Sequence, residues 1–367
     1  MEISITIFFR AKLSQTLDLN IVKLEKTQNS VLKSTNFFGC ISAKKINQLD
    51  SDVVHFHFVN SGLISISEIG KIKKPILWTL PDMWAVLGTE HLLTESDANR
   101  LEYGYLKSNR NQSDKGLDLS RITWNLKTKN FVNLNLVAPS QWLARQVEKS
   151  PIFINKSIEV IPLPIDIQTF KPGNRDVSRE GLGLDKKDFV VGFLGGITIM
   201  KGWGLVHELI LDSRKNKSWK FILGGIGQSK YPELPDNVVK VGTIKDQVNL
   251  LDFYSSLDVL LVPSFQEAFG LVAQEAQSCG VPVIVFSNTG CADIVSDSIT
   301  GFVITKRSSL ELAKALNYLQ NSTDEKQKEM KINARQRAEK LWNYDLIARK
   351  YKVKYQEILL NSQSNSL

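Results

Sequence analysis

The sequence predicts an α/β protein made of two doubly wound domains. Short apolar runs alternate with helical stretches along most of the chain, and they form two successive series separated by a proline- and glycine-rich stretch. At 367 residues the chain is long enough for two domains of this kind.

The first series of strand candidates is Asp52–Phe56, Pro75–Leu80, Leu134–Ala138 and Ile158–Ile161. The second is Phe189–Leu194, Trp219–Leu223, Val238–Val241, Asp258–Pro263 and Val281–Val285. Runs dominated by Val, Ile and Leu, with little alternation, read as parallel strands covered on both faces. Between the series, residues 162–187 hold Pro162, Pro164, Pro172, Gly173, Gly181 and Gly183 amid mixed charge, and read as a linker. Residues 325–360 read as helical, with Leu341, Trp342, Leu346, Tyr351, Tyr355 and Leu359 available as apolar faces. Lys326, Lys328, Lys331, Arg335 and Arg337 give that segment a basic face. The polar tail 361–367 is expected to fray.

Composition narrows the function classes. Apolar content is ordinary for a globular protein, and no apolar run approaches the length of a membrane span. The start, Met1 to Arg10, lacks a basic n-region and a small-residue cleavage site, so a signal peptide is not expected and the chain reads as cytoplasmic. Three cysteines without framework spacing suit a reducing compartment. His55-x-His57 lies on a strand, and such a pair is more often one buried and one exposed residue than a metal site. The net charge of +8 suits an anionic small molecule or an anionic lipid surface. No nucleic-acid motif with interleaved aromatics accompanies it, so nucleic acid is not an expected partner.

The candidate chemistry lies in the second series. Glu267 follows the strand ending at Pro263 and Glu275 lies about two helical turns further on, so both carboxylates can face one cleft. Ligands of open α/β sheets bind at carboxyl ends of strands, where free N–H groups of a helix start favour an anion. Gly192 to Trp203 ends another strand in a glycine-bearing loop, followed by Lys201 at a helix start. Glycines let backbone N–H groups approach a phosphate, and a lysine neutralises it as a point charge. Gly202 after Lys201 excludes a Walker A motif, and the G-x-G-x-x-G order of a Rossmann fingerprint is absent.

The stretch Pro263–Ala276 resembles the E-x7-E signature of family 4 of the retaining glycosyltransferases, group 1 enzymes of the GT-B fold. Cys279–Ile284, Asp293–Val295 and Thr300–Val303 resemble the strands and turns that follow it, and the likeness spans roughly residues 50–350. It implies two Rossmann-like domains with a cleft between them. Residues 1–165 would be the acceptor-side domain, 166–340 the nucleotide-sugar domain, and 341–367 a helix and tail crossing back. Glu267 would contact the transferred sugar and Glu275 the ribose, while the backbone of Ala268, Phe269, Gly270, Leu271 and Val272 meets sugar and phosphates. Lys201-Gly202 matches the pair that binds the donor diphosphate, in a loop with Gly195 and Gly196. Many members have an arginine where this chain has Gly196. Gly225 and Thr243 lie in segments similar to the loops around the base.

In the first domain, Ile76–His91 looks like the family's T-L-H-D-x-W-A segment. Gly116–Arg121 with Trp124, and Ala138–Ala144, resemble polysaccharide-assembly members. Pro81 stands where most members have a histidine, whereas Asp82 is kept and is a candidate catalytic residue; His91 is the nearest histidine in sequence. The family's first strand–helix unit is expected to be missing or rewritten, since no glycine-rich loop follows Met1–Phe9.

The resemblance implies transfer of a hexose, with retention, from a nucleotide-diphosphate sugar to a glycan or lipid-linked glycan in polysaccharide or cell-surface glycan synthesis. Glu267, Lys201 and Asp82 would carry the chemistry, without a bound metal or cofactor, and an anionic membrane face is a compatible partner. The alternative is a weakened homologue serving as a nucleotide-sugar-binding subunit.

Overall fold

A computed structural model describes residues 5–364 apart from 28, 30, 95–97, 155, 214–218 and 228–229. The chain divides into two compact units, one of Met1–Ile161 with Arg349–Leu367 and one of Pro162–Ala348.

In the first unit, β1 (Glu25–Lys26) pairs antiparallel with β4 (Lys115–Gly116). The main sheet is parallel and four-stranded, formed by β2 (Val54–Phe56), β3 (Ile76–Thr79), β5 (Leu134–Ala138) and β6 (Ile158–Val160) in the order β2-β3-β5-β6. Every residue of β3 is buried, as its unbroken apolar run requires of an inner strand. Residues Ile5–Val22 form a helix, so the described chain enters this unit through a helix rather than a strand. Asp18 on that helix is buried and accepts hydrogen bonds from the backbone N–H groups of Thr35 and Asn36.

The stretch from Arg349 belongs to the first unit and is tied to its sheet by polar contacts. His55 Nδ1 lies 2.7 Å from the Tyr355 hydroxyl and Nε2 2.9 Å from Thr79 Oγ1, which also meets the Tyr351 hydroxyl at 2.8 Å. Lys354 pairs with Glu159 at 3.1 Å. His55 is half-buried and His57 exposed, and with one residue between them their rings share a face, centroids 4.2 Å apart. Burial, reinforced by the neighbouring His57, pushes the His55 pKa down to about 4.

In the second unit six parallel strands form one sheet: β7 (Phe189–Leu194), β8 (Trp219–Gly224), β9 (Val238–Gly242), β10 (Val259–Val262), β11 (Val283–Phe286) and β12 (Gly301–Ile304). Their order is β12-β11-β10-β7-β8-β9. Apolar clusters cover the sheet, one around Leu260, Phe253 and Trp342, the other around Leu261, Trp203 and Leu316.

Two expectations change here. The 162–187 stretch is not a free linker, because it contains the helix Arg175–Gly181 and the completely buried Arg179. Arg179 donates to the carbonyls of Ser256, Asp185, Lys186 and Asp188 and pairs with Asp258 at 2.7 Å, which fastens the stretch to the sheet. The helical segment near the end is two helices, Asp324–Leu341 and Tyr344–Ser364. Buried Trp342 breaks it by giving its carbonyl to the Ile165 N–H at 2.8 Å, and Asn343 Oδ1 accepts from Leu346 N at 2.9 Å to restart the helix.

A depressed histidine pKa means that the folded state favours neutral His55, so its stability is full above the unfolded value of 6.5 and is lost as pH falls toward 4. Thermal unfolding followed from pH 7 to pH 4 should show a falling midpoint in the wild type and a shallower fall in His55→Gln. Equal slopes would show that His55 is not the group responsible.

Candidate functional site

The second sheet has one point where its winding reverses. From β7 the chain proceeds through β8 to β9 on one side, then crosses over to β10 on the other side. The loops after β7 and β10 therefore diverge and open a crevice at the carboxyl ends of adjacent strands, the place where open α/β sheets bind ligands.

The loops that carry Lys201 and Glu267 flank this crevice. Lys201 Nζ lies 2.6 Å from Glu267 Oε2 and Ser264 Oγ lies 3.4 Å from the same oxygen. The lysine side chain remains 42% exposed and the glutamate 24%. A pair this open to water is worth only about 0–1 kcal/mol, so Lys201 can be transferred to an arriving anion at little cost. The loops are held together by backbone: Phe265 N donates to Met200 O at 2.8 Å, and Gly290 N donates to Glu267 O at 2.7 Å. Arg307 donates to Phe265 O at 3.0 Å and sits over its ring.

Two glycines make this approach possible. Gly202 has φ +72°, and a Cβ there would stand 2.0 Å from Pro263 O. Gly270 has φ +107°, and a Cβ there would stand 2.5 Å from Cys291 Sγ. Both are also the N-caps of the helices Trp203–Asp212 and Leu271–Ser278, and neither helix has a side-chain cap. In the same unit the helices after Asn174, Asp246, Ser308 and Thr323 are all capped by those side chains. Among the described α-helices of this unit, the two uncapped starts are thus the two at the crevice, where their N–H groups and dipoles favour an anion.

The remaining sequence candidates divide by what they can offer. Gly195 and Gly196 are half-buried on the β7 loop, and Gly195 N donates to Gly224 O at 3.0 Å. Exposed Gly225 donates its N–H to Gly242 O at 2.9 Å, next to exposed Thr243. Phe269 is buried in the core and Val272 packs against it, so these positions can offer a ligand only backbone. Ala268 lies between Glu267 and Phe269 with its carbonyl against Gly290, and Leu271 is exposed at the first helical position. Glu275 accepts the Tyr254 hydroxyl at 2.6 Å. Burial raises its pKa above the ordinary carboxylate value, and that hydrogen bond offsets part of the rise.

Asp82 lies in the other unit, just past β3. It accepts Trp84 N at 2.8 Å and the Nδ1–H of His91 at 2.6 Å, while His91 Nε2 lies 3.0 Å from Ser34 Oγ. His91 therefore reaches Asp82, but as a buried anchor, 3% exposed, and not as a group turned toward a ligand. Tyr254, Ser264 and Arg307 were missed by sequence reasoning. Tyr254 and Arg307 come from distant segments and carry no local motif, whereas Ser264, three residues before Glu267, was within reach.

Residues 174–337 match the family model described as glycosyl transferases group 1. The chain is 27% identical over 273 residues to a D-inositol 3-phosphate glycosyltransferase of Mycobacterium sp. (strain KMS), covering 69% of this chain and 55% of that one. A protein of the same name from Rhodococcus opacus (strain B4) is 31% identical over 201 residues, 50% of this chain and 44% of that one. The chain thus spans about half the length of the curated relatives it matches. Among solved structures, the sucrose-phosphate synthase of Thermosynechococcus elongatus superposes with TM-score 0.64 at 19% identity, covering 87% of this chain and 76% of that one. Anabaena HepE in complex with UDP and glucose superposes with TM-score 0.59 at 18% identity, covering 86% and 80%.

Replacing Gly202 by alanine should destabilise the second unit by at least about 1–2 kcal/mol, the cost of a left-handed non-glycine residue before any clash is counted. Urea unfolding of Gly202→Ala checks this, and an unchanged midpoint would mean that the loop relaxes freely away from Pro263.

Proposed function

We propose, from a chain with the GT-B fold whose second unit carries a group 1 glycosyl transferase domain, that the protein is a hexosyltransferase acting on a nucleotide-diphosphate sugar. One observation carries the reading: Lys201 and Glu267, 66 residues apart in sequence, meet at 2.6 Å at the switch point between two uncapped helix starts. In this reading the donor diphosphate displaces Glu267 from Lys201 and takes up the free N–H groups of both helices. Preorganised donors of this kind stabilise the charge that builds on a leaving diphosphate.

Glu267, released from the lysine, faces the sugar and stabilises the positive charge developing on it. The acceptor oxygen bonds to the anomeric carbon on the face from which the sugar–diphosphate bond breaks and passes its proton to the departing diphosphate, so the configuration is retained. Glu275 accepts hydrogen bonds from the ribose. Asp82, fixed by His91, is the acceptor-side carboxylate. The reaction so drawn uses only charges and dipoles of the chain itself. The UDP in the HepE complex makes a uridine nucleotide the first donor to try. The acceptor class is a glycan or a lipid-linked glycan, and the net charge of +8 suits docking on an anionic membrane face. Pro81 in place of a titratable group favours the second reading, a nucleotide-sugar-binding subunit with little turnover.

Isothermal titration with UDP, GDP and ADP tests the site. One nucleotide should bind, and Lys201→Ala and Glu275→Ala should each weaken it about tenfold or more, the usual scale for losing a hydrogen bond to a charged group. Failure of all three to bind would sink both readings. Binding without transfer or donor hydrolysis, across a panel of glycan acceptors, would leave the binding-subunit reading.

Because an ionised Glu275 accepts from the ribose more strongly, and through both oxygens, than a protonated one, nucleotide affinity should fall on acidification at a pH above the ordinary glutamate value of 4.5. Tyr254→Phe removes the hydrogen bond that favours the ionised form and should move that fall to higher pH. Titration of the affinity in both proteins decides it, and coincident profiles would remove Glu275 from the donor site.

A further inference from the structure

The second unit has a cavity of about 430 Å³ at the opposite end of its sheet, beside the amino ends of β10 and β11. Its floor is apolar and buried, formed by Leu257, Cys279 and Val281, with the ring of Tyr254 beside them. Its wall is the helix Asp324–Leu341, which turns Lys328, Lys331 and Ile332 toward the opening, a spacing that puts all three on one face. These lysines belong to the basic face legible in the sequence, which the donor site leaves unused.

The charges around this cavity do not cancel. Asp258, buried beneath the rim, pairs with Arg175 at 3.0 Å, Arg179 at 2.7 Å and Lys331 at 3.2 Å. Three cations therefore share one carboxylate, and two of them, Arg175 and Lys331, line the cavity. Arg175 Nε is shielded from solvent and has no hydrogen-bond partner, as is also true of the Nε groups of Arg100, Arg110 and Arg121 away from this cavity. Lys328 is exposed at the mouth and forms no ion pair among the described residues. Arg335, by contrast, is fully engaged with Glu339 and the carbonyls of Ile167, Phe170 and Ser278, and serves as wall.

We infer that this cavity is a second binding site, for a small amphiphilic anion. Such a ligand carries a phosphate or carboxylate at the Arg175, Lys328 and Lys331 rim and an apolar body against Leu257 and Val281. The volume is that of a small-molecule pocket, too small for a folded partner. Apolar floor and cationic rim together specify the class: a bare phosphate leaves the floor dry and unfilled, and a neutral apolar molecule leaves the excess cations unpaired.

The probe is 2-naphthyl phosphate, titrated calorimetrically into the full chain beside 2-naphthol and inorganic phosphate. Saturable binding of 2-naphthyl phosphate is expected, at least tenfold tighter than either half-molecule. Arg175→Gln is the direct variant, but Arg175 also holds buried Asp258 and its loss can unfold the unit. Lys328→Glu and Ile332→Glu change exposed positions and should each weaken the probe about tenfold while thermal unfolding stays as in the wild type. The inference is overturned if the probe fails to bind, binds no better than 2-naphthol or phosphate, or is insensitive to both rim variants. It is equally overturned if Lys201→Ala abolishes probe binding, since the probe would then be reporting the crevice at the other end of the sheet. Nucleotide binding at that crevice plays no part in these outcomes, so the two sites stand or fall separately.

Discussion

The close approach of two loops at the sheet's point of reversal sets the geometry of the candidate site. With β7 and β10 adjacent, their following loops must part to reach helices on opposite faces. They nevertheless touch at one place, where Gly202 passes Pro263 O without room for a Cβ. That contact fixes Lys201 against Glu267 and sets the Trp203–Asp212 and Leu271–Ser278 helix starts at the same mouth. Helix dipoles, an exposed lysine and a displaceable carboxylate are individually weak attractors of an anion. Arranged in one crevice beforehand, they act without having to be ordered when the anion arrives.

The first unit handles charge differently. Beneath the turn of Asp82 it buries several charged and polar groups that bond one another. Lys127 is completely buried and donates to the carbonyls of Trp84, Leu87 and Gly88 while lying 3.6 Å from the centre of the Trp84 ring. Burial pushes its ammonium well below the ordinary lysine range, against the pull of Glu90 and Asp82. Glu90 in turn accepts from Tyr105 and Ser120, and Ser120 also reaches Glu25, which pairs with Lys33 at 2.8 Å. Such a network contributes little net stability but is costly to break, because removing one member leaves another charge buried and unpaired. It fixes the turn on which Asp82 sits, which gives that carboxylate a defined direction despite its place on a loop.

Much of this was legible in the chain itself. All nine strand candidates form strands at or within a few residues of the expected bounds, because short runs rich in branched apolar residues between turn signals suit strands of a covered sheet. Lys201 and Glu267 stood out through the resemblance of their loops to a family signature, because strand-end glycines alone suit a surface lysine equally well. The basic face of the penultimate helix was also readable, though not its relation to a cavity.

What the sequence determined by itself was everything with a short period or a short motif: the class of fold, the strands, and the two loops that carry the candidate site residues. What only the tertiary structure decided was the pairing of groups far apart along the chain. The sequence could name His91 as the histidine nearest to Asp82, but not that Ser34 and burial would make it an anchor rather than a ligand-facing group. Nor could it bring Tyr254 to Glu275, gather Arg175, Arg179 and Lys331 on Asp258, or show that buried Arg179 fastens a proline- and glycine-rich stretch to the sheet. The reason is physical: a hydrogen bond or an ion pair depends on a few ångströms in space, and separation along the chain leaves that distance open until packing closes it.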